Sequence, residues 1–104
     1  MKSNQVLQKV MVKDILFAEA AGNYVVIHTR EKKHMVYLTL KAFEENLSKE
    51  LFMKVHKSFV VLLGSIESVQ LDNISIGRRT IPIGRTFRNQ LMEYMDLKRI
   101  KRMS

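Results

Sequence analysis

The residues best suited to chemistry in this chain lie in the segment Lys54-Val55-His56-Lys57-Ser58. Two cations, an imidazole and a hydroxyl fall within five positions there, and the apolar run Phe59 to Leu63 follows at once. Side chains of this kind at the end of a rigid strand can offer hydrogen bonds and positive charge to a polyanion. The alternative is an ordinary strand end, with a solvated Lys57 and with Ser58 closing a turn.

Residue types needed for catalysis are sparse. The chain has no cysteine, which excludes disulfides, thiolate zinc sites and cysteine nucleophiles. His28 and His34 flank one expected hairpin, but no third metal ligand accompanies them, so we interpret them as exposed strand histidines. Glu19 is expected to be a structural acceptor beside a turn, and Gly77 and Gly84 do not form a phosphate-binding glycine loop. The sequence therefore predicts a protein that is not an enzyme and holds no cofactor or metal.

Positive charge is concentrated in the last third of the chain. Residues 78–104 hold eight Lys/Arg against Glu93 and Asp96, a net charge of +6, whereas residues 1–77 hold ten Lys/Arg against eight Asp/Glu. A basic segment on an otherwise balanced domain is typical of a protein that binds nucleic acid or an anionic surface. A purely solubilising role for the charge is the alternative.

Length and composition indicate one globular domain. The chain has 104 residues, 46% of them hydrophobic and 27% charged, which is enough for a single core. We expect one domain over residues 1–104, with a core over about 11–95 and a basic tail over 96–104. The residues after Met1 to Gln5 do not form a signal-peptide core, and no apolar run reaches membrane-spanning length. These features predict a cytoplasmic protein without a membrane partner.

The first half of the chain is predicted to form strands and one short helix. Val6 to Val12 alternates loosely, and Asp14 to Ala20 ends at the turn residues Gly22 and Asn23. Tyr24 to Arg30 and His34 to Thr39 indicate an antiparallel hairpin. Thr39 is then expected to cap a helix that carries Leu40, Phe43 and Leu47 on one face and ends at Ser48-Lys49-Glu50.

The second half is predicted to form four strands and a C-terminal helix. The expected strands are 52–63, Ile66 to Leu71, Ile74 to Ile76 and Thr80 to Ile83. Pro82 cannot donate a ladder hydrogen bond, which favours an edge position for the last of them. From Thr86 the apolar spacing becomes helical, through Phe87, Leu91, Tyr94 and Met95.

Four of these segments together resemble the LytTR DNA-binding domain. They are residues 14–25, the Thr39-Leu40-Lys41 helix start, residues 52–61, and Ile81-Pro82-Ile83-Gly84-Arg85, in the family's order and spacing over roughly residues 11 to 95. The resemblance implies a mainly β, elongated antiparallel fold with one short central helix and one C-terminal helix. It also implies an output domain of bacterial response regulators, whose loops enter successive major grooves of bent DNA.

The resemblance further implies which residues contact DNA. Three loops should reach the duplex, around Gly22, at His56-Lys57-Ser58 and at Gly84-Arg85. Arg85 is expected to read a base, since its planar guanidinium can bond bidentately to guanine. The other expected contacts are Asn23 or Tyr24 in the first loop, Lys57 on a base or a phosphate, His56 on a base or beneath the corner as a structural residue, and Lys54, Ser58 and Arg88 on phosphates.

The implied partner is double-stranded DNA that carries a direct-repeat operator. Dimerisation on DNA and a receiver domain in the full-length protein are further expectations. Because 104 residues leave no room for a receiver domain, the chain is expected to be an excised C-terminal domain or a stand-alone regulator. Two other classes stay open: an RNA-binding or ribosome-associated β module, and a protein-interaction module that adds strand 80–83 to a partner sheet.

Overall fold

The computed structural model describes residues 12–103, apart from the side chains of Lys13 and of residues 97–103. Within this part of the chain there are eight strands and two α-helices. They are β1 (Ile15–Ala21), β2 (Tyr24–Thr29), β3 (Lys33–Val36), α1 (Leu40–Glu45), β4 (Phe52–His56), β5 (Phe59–Leu62), β6 (Ser68–Val69), β7 (Asn73–Ile76), β8 (Arg79–Pro82) and α2 (Arg88–Met103). Short 3₁₀ turns occupy Val12–Asp14, Leu63–Ser65 and Arg85–Phe87.

The strands form two antiparallel sheets. The first sheet has the order β3-β2-β1-β5-β4, and the second has the order β6-β7-β8. The molecule measures 50 × 26 × 24 Å along its principal axes. This elongated, mainly antiparallel β architecture with two α-helices confirms the predicted fold class.

The first sheet is the middle layer, because it buries apolar side chains on both faces. On one face Leu40 and Phe43 of α1 pack against residues such as Val25 and Val60. On the other face the isoleucines of the second sheet and Leu91 of α2 pack against the first sheet. The apolar residues of that second core cluster are Phe17, Val55, Val61, Ile74, Ile76, Ile81 and Leu91.

The predicted element boundaries are confirmed where a glycine with positive φ or a helix-capping side chain marks them. Gly22 and Gly77 have φ values of +62° and +60°, which favour glycine, and each closes a hairpin. The Thr39 Oγ1 atom accepts a hydrogen bond from the Ala42 N–H at 3.0 Å, which confirms the predicted helix cap. The helix ends at Glu45 rather than at Ser48, although Leu47 still packs against the core.

The single strand predicted over 52–63 is wrong. The chain forms two strands, β4 and β5, joined by a tight turn at Lys57 and Ser58. The His56 Nδ1 atom accepts a hydrogen bond from the Ser58 N–H at 3.1 Å, so a side chain closes the turn in the absence of glycine or proline. A register shift between Lys54 and His56 adds a local bend.

Several of the remaining strands are shorter than expected. The strand predicted over Ile66 to Leu71 is limited to β6, and the strand predicted from His34 stops at Val36. Strand β8 lies at the edge of the second sheet, as Pro82 predicted. Of the predicted strand over residues 6–12, residues 6–11 lie outside the described part of the chain, and Val12 begins a 3₁₀ turn.

None of the helices in the described part of the chain combines the length and the apolar character that a membrane crossing requires.

Candidate nucleic-acid interface

Two backbone hydrogen bonds bring the three expected loops to one end of the molecule. The Ala20 N–H donates to the Ser58 carbonyl at 2.9 Å, which ties the Gly22–Asn23 turn to the Lys57–Ser58 turn. The Gly84 N–H donates to the Val55 carbonyl at 2.7 Å, which ties the Gly84–Arg85 corner to the end of β4. We call this end of the molecule the corner end. Asn23 and Arg85, 62 positions apart in sequence, thus share one surface, and backbone contacts fix their spacing.

The Gly84–Arg85 corner is packed too tightly for a larger residue. A Cβ atom at position 84 would lie 2.8 Å from the Phe87 ring and 3.4 Å from the His56 Cα atom. Arg85 follows as the first residue of the 3₁₀ turn that leads into α2, and its side chain is exposed. Its guanidinium therefore projects from a corner that the Gly84 hydrogen bond fixes on one side and helical structure fixes on the other.

At the Lys57–Ser58 turn, the structure gives His56 a hydrogen-bonded position within the protein. Its Nδ1 atom is the acceptor for the Ser58 N–H, so the neutral imidazole carries its proton on Nε2. The half-buried ring meets the Phe59 ring edge-on, with the centroids 5.6 Å apart. Lys57 is exposed and Ser58 is half-buried. This geometry supports a structural role for His56, while Lys57 is the side chain that projects from the turn.

The Gly22–Asn23 turn exposes Asn23 and partly covers Tyr24. Asn23 lies at the tip of the β1–β2 hairpin and is exposed. The half-buried Tyr24 ring makes an edge-to-face contact with the Tyr37 ring, with the centroids 5.5 Å apart. Of the two alternatives for this loop, Asn23 is the more accessible. Tyr37 was not among the contacts predicted from the sequence, because its position beside Tyr24 depends on the strand register.

Lys54 and Arg88 lie beside the Gly84–Arg85 corner rather than at its tip. The Lys54 Nζ atom is 6.0 Å from the centre of the Phe87 ring, within cation–π range. The Arg88 side chain is half-buried at the start of α2, and its Nη1 atom is buried without a hydrogen-bond partner among the described residues. Phe87 also belongs to this surface, although its helical spacing in the sequence predicted only an apolar helix face.

His28 is buried, so its interpretation as an exposed strand histidine is wrong. It is 7% exposed and stacks on Phe17 with the ring centroids 4.2 Å apart. The Glu19 carboxylate lies 3.5 Å from its Nε2 atom, a charge contact without a hydrogen bond among the described residues, so the acceptor role of Glu19 stays a prediction. Burial, with a smaller contribution from the positive charge of Arg79, lowers the pKa of His28 below its ordinary value.

The two hairpin histidines do not share a face of the first sheet. Ile27 pairs with His34, and the next residue, His28, therefore points to the opposite face. Across the part of the chain that the structure describes, no three His, Asp or Glu side chains lie close enough to hold a metal ion.

Comparison with protein families identifies the family of this chain. The model of the LytTr DNA-binding domain matches residues 6–96 of the chain. The chain belongs to the LytTR DNA-binding domain family. That family comprises DNA-binding domains of response regulators and other transcriptional regulators, and the two core clusters and the corner end all lie within the matched residues.

Two relatives resemble most of the chain in sequence. The heme-containing CO-sensing transcriptional regulator RcoM 1 of Paraburkholderia xenovorans is 30% identical over 93 residues, which cover 83% of this chain and 35% of the relative. The sensory transduction protein LytT of Bacillus subtilis is 29% identical over 94 residues, which cover 85% of this chain and 39% of the relative. The chain thus spans little more than a third of the length of these relatives.

A solved structure shares the fold. The LytTr DNA-binding domain of a putative methyl-accepting/DNA response regulator from Bacillus cereus superposes with a TM-score of 0.76 at 20% identity. The alignment covers 83% of this chain and 84% of the other. The two-sheet architecture is therefore the LytTR fold.

Proposed function

We propose that this domain binds double-stranded DNA sequence-specifically and serves a bacterial transcriptional regulator, with loops of the corner end reading successive major grooves. The observation that carries the proposal is the corner end itself. Two backbone hydrogen bonds hold three loops on one surface, and each loop projects one exposed polar side chain: Asn23, Lys57 and Arg85. Spacing fixed in this way suits the reading of base edges at set positions along a duplex.

We propose separate roles for the residues of the corner end. Arg85 reads a guanine through a bidentate pair. Asn23 and Lys57 contact the DNA from the Gly22–Asn23 and Lys57–Ser58 turns. Tyr24, Lys54, Ser58 and Arg88 flank these tips and carry hydrogen-bond donors, which suits contacts to phosphates and sugars. His56 supports the Lys57–Ser58 turn from below through its hydrogen bond to Ser58.

The family also suggests how copies of the domain assemble on DNA and which kind of protein carries it. We infer that the domain recognises a direct-repeat operator with two copies on one DNA molecule. A receiver or other sensory domain in a longer protein would control it, in the cytoplasm and without catalysis by this domain. The chain's net charge of +8 supports a polyanionic partner.

Selection from a randomised duplex library, followed by titration, tests the proposal. We expect a recovered sequence to bind far more tightly than scrambled duplex, with log affinity falling by about 0.9 per phosphate contact as log salt rises. Single- and double-stranded RNA of equal length should compete weakly at both of two salt concentrations. A flat dependence on salt, or stronger binding to RNA than to selected duplex, would exclude the proposal.

A further inference from the structure

The corner end carries one more exposed aromatic side chain, beyond the residues that the family resemblance implies. Tyr37 follows β3 and is 82% exposed, the largest value among the exposed large hydrophobic side chains of the described residues. Val25 pairs with Val36 across β2 and β3, which places Tyr37 level with Tyr24. Tyr37 therefore lies one strand beyond the Asn23 turn, on the side away from Arg85.

We propose that Tyr37 is a further DNA contact, which binds the sugar–phosphate backbone on the flank beyond Asn23. The inference rests on the proposed DNA binding and extends it. Adjacent strands lie ~4.8 Å apart, so the five-stranded sheet is roughly 19 Å wide at the corner end. A duplex that runs along the row of loops from Arg85 to Asn23 passes Tyr37 next.

Contact with Tyr24 prepares Tyr37 for this role. The two rings meet at an interplanar angle of 79° with their centroids 5.5 Å apart, an edge-to-face arrangement that restrains the exposed ring. Tyrosine has only two side-chain torsions, so little conformational entropy is lost on binding. Its hydroxyl can donate a hydrogen bond to a phosphate oxygen, and hydrogen bonds to charged acceptors are the stronger kind.

The charge of the segment that follows Tyr37 favours a polyanion such as DNA as its partner. Residues 37–41, which lead from Tyr37 into α1, contain one lysine and no acidic residue. Lys41, in the first turn of α1, is exposed, as is the capping residue Thr39. A phosphate beside Tyr37 would therefore meet positive charge on the side that leads into α1.

Met35 of β3 provides a matched control close to Tyr37. It lies two residues before Tyr37, pairs with Val26, and is 63% exposed. Because both side chains are exposed and only two residues apart, Met35 and Tyr37 would both belong to an apolar docking surface for a protein. If DNA is the partner, only Tyr37 should matter, since Met35 lies farther from the corner end.

The deciding variant is Tyr37→Phe, which removes the hydroxyl and keeps the ring against Tyr24. Against the selected duplex we expect a roughly tenfold loss of affinity, as for one hydrogen bond to a charged group. The salt slope and the melting temperature should stay unchanged, and Met35→Ala should bind as the parent does. Trimming the duplex at the flank beyond Asn23 should weaken the parent about tenfold and should not weaken Tyr37→Phe further.

Each other result counts against the inference. Parental affinity for Tyr37→Phe would overturn it. An equal loss for Met35→Ala would also overturn it, because the loss would then come from this surface as a whole and not from the Tyr37 hydroxyl. Loss of affinity that is the same for trimmed and full-length duplex would also overturn it. If the parent shows no preference for any duplex, the proposed function itself fails, which is distinguishable from a failure of Tyr37 alone.

Discussion

Among the single residues of the corner end, Arg85 has the geometry best suited to base reading. It follows Gly84, whose N–H is bonded to the Val55 carbonyl, and it precedes a helix of 16 residues. This hydrogen bond and the helical structure that follows hold the Arg85 backbone in place, which limits the backbone entropy lost on binding. A positive charge near a helix start is mildly unfavourable against the helix dipole, so Arg85 gains nothing there from the fold alone.

Arg85→Ala should cost about 1–3 kcal/mol of binding free energy and remove the preference at one base pair. Arg85→Lys should recover little of that loss, because an ammonium cannot form the bidentate pair. Titration against single-base variants of the selected duplex measures both effects. Arg78→Ala is the matched control, since Arg78 is an exposed arginine at the far β7–β8 turn. Equal losses for the two alanine variants would show that only general charge matters at position 85.

His56 should act through the turn rather than through a base. His56→Ala removes the acceptor for the Ser58 N–H and should lower the melting temperature and weaken binding to all duplexes together. His56→Asn places an amide oxygen near the former Nδ1 position and should restore part of both properties. Thermal melts paired with titrations of single-base duplex variants measure the outcome. A His56→Ala protein with parental stability that loses discrimination at one base pair would instead identify His56 as a base-reading residue.

At the scale of elements, the sequence predicts turns well where a residue has a special backbone preference. Gly22, Gly77 and Thr39 all mark their boundaries, because positive φ values and helix caps restrict the residue types. The strand pattern over 52–63 did not show the Lys57–Ser58 turn, because this turn has no glycine or proline and is closed by the His56 side chain; only the family resemblance predicted a loop there. The burial of His28 was missed for a different reason: it depends on which strand face the second sheet covers.

The loops of the candidate surface could be predicted from the sequence, but the way they come together could not. Local patterns and the family resemblance pointed to the three loops. Their assembly depends on the two long-range hydrogen bonds from Ala20 and Gly84, which no local spacing encodes. Tyr37 and Phe87 join the corner end for the same reason, since register and packing place them there.

Gly84→Ala should disturb the corner as a unit. The added methyl would lie 2.8 Å from Phe87, so the ring must move, and with it the contact to Lys54. Overpacking of this kind typically costs about 1–3 kcal/mol of stability. We expect lower DNA affinity as well, because Arg85 follows directly. Denaturant melts and duplex titrations measure the two effects.

Phe87→Leu supplies the control for this substitution, because it removes ring atoms next to position 84. In the double variant Gly84→Ala/Phe87→Leu the stability loss should be smaller than the sum of the single losses. Additive losses would show that the methyl group does not meet the Phe87 ring.

At the scale of the whole molecule, a polar and aromatic cluster joins the two sheets. Phe17 of the first sheet stacks on His28, and the Arg79 guanidinium of the second sheet lies 5.3 Å from the Phe17 ring centre. Glu19 on β1 faces His28, and Lys33 on β3 adds a weaker positive influence. The charge state of one buried imidazole is thus linked to the packing between the layers.

The free energy of unfolding should therefore fall in mild acid. The pKa of His28 in the folded protein lies below its ordinary value of 6.5, chiefly because of burial. Between these two pKa values the unfolded chain binds more protons at this position, so the His28 contribution to stability is present above 6.5 and is lost as pH falls towards the folded pKa. Denaturant melts at a series of pH values should show this slope, and His28→Phe should reduce it while it keeps a ring against Phe17.

Two further variants should shift the slope in opposite directions. Arg79→Gln removes a positive charge that lowers the pKa of His28, so the pH dependence should become weaker. Glu19→Gln removes the negative charge that raises that pKa, so the pH dependence should become steeper. Because both substitutions remove one charge from the same cluster, a general loss of packing would move the two slopes alike. Parallel changes in the two variants would therefore refute the assignment of this pH dependence to His28, whereas opposite changes link the protonation of a single side chain to the junction of the two sheets.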